Sequence, residues 1–137
     1  MSDNVTPHEA LIYTMVTMSA VDRQMSDSEL SRIGDIATTL PVFKGFDEEN
    51  IVQIAQACGE ILGRENGLND VLDSIAEGLP QKLYETAYAV AVEIAAVDLE
   101  VKQEELRFLS LLRDRLRLDK LVISAIERGA RARHAVM

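Results

Sequence analysis

The chain of 137 residues has no tryptophan, one cysteine, three prolines and seven glycines, and aromatic residues make up only 4% of it. Each shortage excludes something. A single cysteine, Cys58, rules out an internal disulfide and a thiolate zinc cage, and two histidines, His8 and His134, supply no imidazole cluster for zinc or copper. The longest apolar stretch, residues 83–97, is broken by Glu85 and Glu93 and does not read as a membrane span. Met1-Ser2-Asp3-Asn4 carries neither the basic region nor the hydrophobic run of a signal peptide. A soluble cytoplasmic protein is expected.

What is present points to a folded domain. Hydrophobic residues are 47% and charged ones 27%, a balance that disfavours disorder, and the length suits one domain over residues 1–137. Fourteen basic against 23 acidic residues give a net charge of −9. Helix formers dominate and apolar residues recur at three and four rather than two, so the expected fold is all-α.

Helix boundaries follow from local chemistry. Thr6-Pro7-His8-Glu9 reads as a capping box with proline at the first helical position, and Leu11, Met15 and Met18 lie on the buried face that follows. Ser26-Asp27-Ser28-Glu29 is a second box, opening a helix that carries Leu30, Ile33, Ile36, Ala37 and Leu40 until Pro41 stops it. Residues 42–46 read as a loop, and Asp47 as the cap of a third helix through Ile51, Ile54, Cys58 and Leu62. A fourth helix is expected over about 68–77. The fifth, over 81–97, is expected to be the longest, and its apolar residues cover more than one face, which makes it central. A sixth runs over about 102–116. Asp119 caps a seventh that frays into arginine-rich residues. Seven helices with short loops imply a compact antiparallel bundle.

Residues 20–30 align without gaps on residues 96–106, and five of these eleven positions are identical: Ala20/Ala96, Val21/Val97, Asp22/Asp98, Glu29/Glu105 and Leu30/Leu106. Average residue usage gives about one identity by chance in such a window. The chain therefore reads as a duplication, with repeats over about 6–63 and 81–133 and two pseudosymmetric halves joined by the fourth helix.

The repeat places acidic residues together: Asp22, Asp27 and Glu29 in one turn, and Asp98, Glu100, Glu104 and Glu105 in the other. Asp22 and Asp98 fall at expected helix C-termini, where the macrodipole disfavours a carboxylate by about 0.3–1 kcal/mol. Loop amides of the following turn offer ordinary compensation. The other reading is a cation site, because crowded carboxylates raise one another's pKa unless a cation neutralises them. Oxygen ligands without histidine or cysteine select Ca²⁺ or Mg²⁺ over zinc or copper, although neither turn has the twelve-residue pattern of an EF-hand. Lys102 stands where the first half has Ser26 and has no acceptor, so Glu105 cannot share the reciprocal box available to Glu29.

These residues resemble the tellurite-resistance TerB family, and the likeness covers nearly the whole chain: seven helices in two halves, each with an Ala-x-Asp turn and an acidic residue seven positions after the Asp. Family members read Ala-Asp-Gly at this turn. Here it is Ala20-Val21-Asp22-Arg23 and Ala96-Val97-Asp98-Leu99. The resemblance implies that Asp22, Glu29, Asp98 and Glu105 are the metal-site candidates. It also implies a non-enzymatic stress-response role in bacteria, through cation-linked association with a protein partner. Tellurite is an oxyanion, which a carboxylate cluster in a chain of charge −9 would repel, so direct capture there is excluded on electrostatic grounds. Cys58 lies on an apolar helical face and reads as packing.

No nucleophile with its base and no open metal site is legible, so no enzyme and no small-molecule substrate are expected, and His8 and His134 read as surface residues. The alternatives are a scaffolding domain without metal, and a hydrolase using Asp22 and Asp98 as paired carboxylates. Charge is also asymmetric. Residues 107–137 carry eight basic and three acidic residues, 8 − 3 = +5, whereas residues 1–106 carry 6 − 20 = −14. The basic set, Arg107, Arg113, Arg115, Arg117, Lys120, Arg128, Arg131 and Arg133, is read as solvated or paired with the acidic body. Docking on an acidic protein, nucleic acid or anionic lipid is the alternative. No aromatic residue interleaves it, so a stacking platform for single-stranded nucleic acid is missing.

Overall fold

Proline and capping side chains set the helix starts. The computed structural model describes residues 5–20, 26–96 and 103–137, and among them are seven α-helices and no strand. Thr6 Oγ1 accepts from the Glu9 amide at 3.1 Å and Glu9 Oε1 accepts from the Thr6 amide at 2.9 Å, which opens α1 (Pro7–Ala20) as expected. Ser26 and Glu29 form the second reciprocal box at the start of α2 (Asp27–Thr39), and Leu40 caps its end directly before Pro41. Residues 42–46 are less irregular than expected, because Pro41–Phe43 forms a 3-10 turn; Gly45 follows at φ 85, a left-handed value that suits glycine. Asp47 does cap, but it caps the 3-10 turn Glu48–Asn50 that leads into α3 (Ile51–Leu62). α4 (Gly67–Gly78) ends at Leu79, before Pro80.

The fifth helix departs from expectation. Pro80 leads into a 3-10 turn over Gln81–Leu83, and the α-helical register of α5 begins only at Tyr84 (Tyr84–Ala96). Among the described residues it has 13, against 14 each in α1, α6 (Gln103–Leu116) and α7 (Lys120–Arg133). Arg117 ends α6 at φ 54, and the Leu118 amide reaches back to the Arg113 carbonyl at 3.2 Å in a Schellman-type closure. Asp119 then caps α7 through the Leu121 amide. The arginine-rich end of α7 stays helical as far as Arg133, held by side-chain contacts described below.

Packing is organised around α1 and α5. All ten residues from Ala10 to Ser19 are buried, so α1 has no solvent face; α5 buries Ala87, Tyr88, Val90, Ala91, Val92, Ile94 and Ala95. The two helices pack against each other. α2, α3 and α4 pack on α1, while α6 and α7 pack on α5. Of the hydroxyls inside α1, Thr14 Oγ1 donates to the Ala10 carbonyl at 2.8 Å, whereas the buried Ser19 Oγ meets no partner among the described residues. The repeat offset of 76 carries α1 onto α5 and residues 27–39 of α2 onto residues 103–115 of α6. It does not carry α3 onto α7, because residues 40–50 connect α2 to α3 whereas only residues 117–119 connect α6 to α7.

Gly67 marks the tightest bend. A Cβ there would lie 2.3 Å from the Leu62 carbonyl oxygen and 2.5 Å from that of Ile61, whereas at Gly59 it would meet nothing within 4 Å. Gly67→Ala is therefore expected to destabilise by about 2–4 kcal/mol. Gly59→Ala, on exposed helix, is expected to stabilise by about 0.5–1 kcal/mol. Thermal unfolding of the two variants checks this, and equal midpoints would refute the close approach.

Candidate functional site

Two of the four residues singled out in the acidic turns, Asp22 and Asp98, lie outside the described residues. Glu29 and Glu105 are described, on α2 and α6, at positions related by the repeat offset. Their surroundings differ. Glu29 is half-buried and its Oε1 accepts from the Ser26 amide and the Ser26 hydroxyl, both at 2.9 Å, so it acts as half of a capping box. Glu105 is 5% exposed, the only carboxylate among the buried residues described, and it is partnered. Neighbouring Asp27 and Glu104 are exposed. Among the described residues no group of three or more His, Cys, Asp or Glu side chains gathers in metal-binding geometry.

Cys58 is fully buried, with Sγ 3.5 Å from Thr17 Oγ1 and 3.8 Å from the Tyr13 carbonyl. Burial pushes its thiol up to about 11, only partly opposed by the hydrogen bond to Thr17. At neutral pH it is a protonated packing group rather than a nucleophile. Burial, with the nearby Cys58 and Glu9, also raises the Tyr13 phenol.

The histidines are less superficial than their positions in the chain suggest. His8 is half-buried: Nε2 donates to the Val42 carbonyl at 2.8 Å, and the ring stacks on Phe43 at 5.5 Å and meets Phe46 edge-on at 5.3 Å. This explains why the Phe43-Lys44-Gly45-Phe46 segment packs, with Phe43 only 3% exposed. His134 Nε2 lies 2.7 Å from Glu93 Oε2, and Arg133 donates to Glu93 Oε1 from Nε and Nη2 at 3.1 and 2.9 Å.

A second polar group, not foreseen as a cluster, joins α5, α6 and α7. Tyr88, fully buried, donates to Glu127, and Arg113 reaches the Tyr88 hydroxyl at 3.1 Å and Glu127 at 3.3 Å. Burial and the Glu127 carboxylate push the Tyr88 phenol up to about 12, Arg113 opposing them. No local pattern in the sequence joins the three residues, which lie on three helices. Arg115 pairs with Asp73 of α4. Three members of the basic set thus pair internally, Arg113 with Glu127, Arg115 with Asp73 and Arg133 with Glu93.

An all-helical bundle built on two largely buried helices, α1 and α5, defines the class. A family model described as tellurite resistance protein TerB matches residues 8–128. The chain belongs to the TerB family. Comparison with curated proteins and with solved structures found no match. No helix among the described residues is long and apolar enough to cross a membrane.

Two outcomes follow. Cys58 should resist a thiol reagent such as DTNB in the folded protein and react once guanidinium unfolds it; rapid labelling in native buffer at neutral pH would contradict its burial. Burial alone would raise the Glu93 carboxyl, but the bonds from His134 and Arg133 outweigh it and hold it below the usual carboxylate value. The stability this contributes is present above the unfolded pKa and fades as pH falls through the lower folded one. Glu93→Gln should therefore cost about 1 kcal/mol near neutral pH, and this cost should shrink in acid. Denaturant unfolding at several pH values measures it, and a cost unchanged in strong acid would contradict the pairing.

Proposed function

We propose that this TerB-family chain is a non-enzymatic stress-response module that associates with a protein partner under control of a hard divalent cation, Ca²⁺ or Mg²⁺, held by Asp22, Glu29, Asp98 and Glu105. The observation that carries the reading is the repeat, which sets Asp22 with Glu29 and Asp98 with Glu105 at the same spacing. It supports two related halves that each contribute one acidic turn. The family match over residues 8–128 supports the tellurite-resistance setting. Cytoplasmic placement belongs to the same reading, and accords with the lack of a spanning helix among the described residues.

A purely structural role has its own support, since Glu29 already serves in the Ser26 capping box. Isothermal titration with Ca²⁺, Mg²⁺ and Zn²⁺ separates the two. The proposal expects Ca²⁺ or Mg²⁺ to bind more tightly than about 1 mM, or about −4 kcal/mol, with loss of at least tenfold in Asp22→Asn/Asp98→Asn and no preference for zinc. Wild-type protein that binds none of the three below millimolar would leave the turns structural.

A further inference from the structure

α5 packs against both α6 and α7, yet α6 and α7 scarcely touch each other, and between them lies a groove of about 620 Å³. Its floor is Val92, Ala95 and Ala96 of α5; its walls include Leu106 and Leu109 of α6 and Ala130 of α7. At one end Arg113 bridges to Glu127 across the gap. Toward the start of α6, Leu106 is 53% exposed. Small side chains on the floor would let another helix approach at the ordinary interaxial distance of about 8–10 Å.

Charge says what kind of helix. Glu127, the carboxylate that lines the groove, is engaged by Tyr88 and Arg113, and Glu93 by Arg133 and His134; Glu104 stands exposed two positions before Leu106. Arg107, Arg128 and Arg131 are exposed and form no ion pair with another described residue. Arg131 lines the groove and, with Arg128 and the 77%-exposed Leu121, also lines a second concavity of about 450 Å³ along the outer side of α7. The surrounding stretch, residues 107–137, carries 8 − 3 = +5. The overall charge of −9 does not cancel this at short range, because fields are screened within about 8 Å at physiological salt.

We propose that the α5–α6–α7 groove docks an acidic amphipathic helix of a partner protein, its apolar stripe on Val92, Ala95 and Leu106 and its carboxylates toward Arg128 and Arg131. This is helix-in-groove recognition with electrostatic complementarity at the rim. It rests on the interaction-module reading above but not on the cation, so the test is run in EDTA.

The probe is a fluorescein-labelled synthetic peptide of about 16 residues with leucines at helical spacing and glutamates elsewhere; the control has the same leucines and lysines in place of glutamates. Micromolar binding of the acidic peptide is expected, at least about tenfold tighter than the control and weakening as NaCl rises. Arg128→Glu/Arg131→Glu and Leu106→Asp should each weaken it at least about tenfold with unchanged far-UV circular dichroism. Amide shifts should map to α6, α7 and the end of α5. The salt dependence and shift map need no variant. Equal affinity for both peptides, shifts confined to α1–α4, or binding to phosphatidylglycerol vesicles without peptide binding would overturn the proposal. So would self-association through this face in place of peptide binding. Peptide binding in EDTA beside a failed cation titration would retain the groove and remove the cation; the converse would do the reverse.

Discussion

Mutual burial of α1 and α5 is the constraint from which the rest of the molecule follows. A helix with no solvent face cannot stand alone, since each Leu, Ile or Met on it gives up about 1.5–3 kcal/mol if left in water. α1 is such a helix throughout residues 10–19, and α5 is nearly so. Three helices cover the first and two cover the second. Small residues such as Ala10, Ala87 and Ala91 and large ones such as Leu11, Met15 and Tyr88 are all buried on these two helices.

Most helix starts were legible because they are written in local chemistry. Thr6 with Glu9, Ser26 with Glu29, and Asp119 all cap where their spacing indicates, since a side chain three positions from an orphan amide needs no tertiary information. Helix lengths were harder. The 3-10 turns over Gln81–Leu83 and Glu48–Asn50 use helix-forming residues, and nothing in their composition separates one hydrogen-bond register from the other. The last helix was read as fraying because its arginines look solvated; Arg133 stays helical because Glu93, forty positions earlier, meets it.

The candidate site was legible to a lesser degree for the same reason. Glu29 and Glu105 occupy the same place in the repeat, yet one is half-exposed in a capping box and the other is buried. Serine against lysine at positions 26 and 102 signals the loss of the box, while the burial is set by tertiary packing that no local pattern encodes. The Tyr88, Arg113 and Glu127 group was hidden because its members are spread over three helices, and no local pattern joins them.

α7 has a consequence for how the molecule opens. Ala130 is its only buried residue, fewer than in any other α-helix described, and its polar ties run chiefly to α5 and to Arg113 of α6. Ile123 and Ile126 pack on the core only in part, so less apolar area opposes the departure of α7 than that of α1, which can leave only if the whole core comes apart. Local opening is therefore expected to begin beyond the left-handed Arg117 and to reach the first helix last.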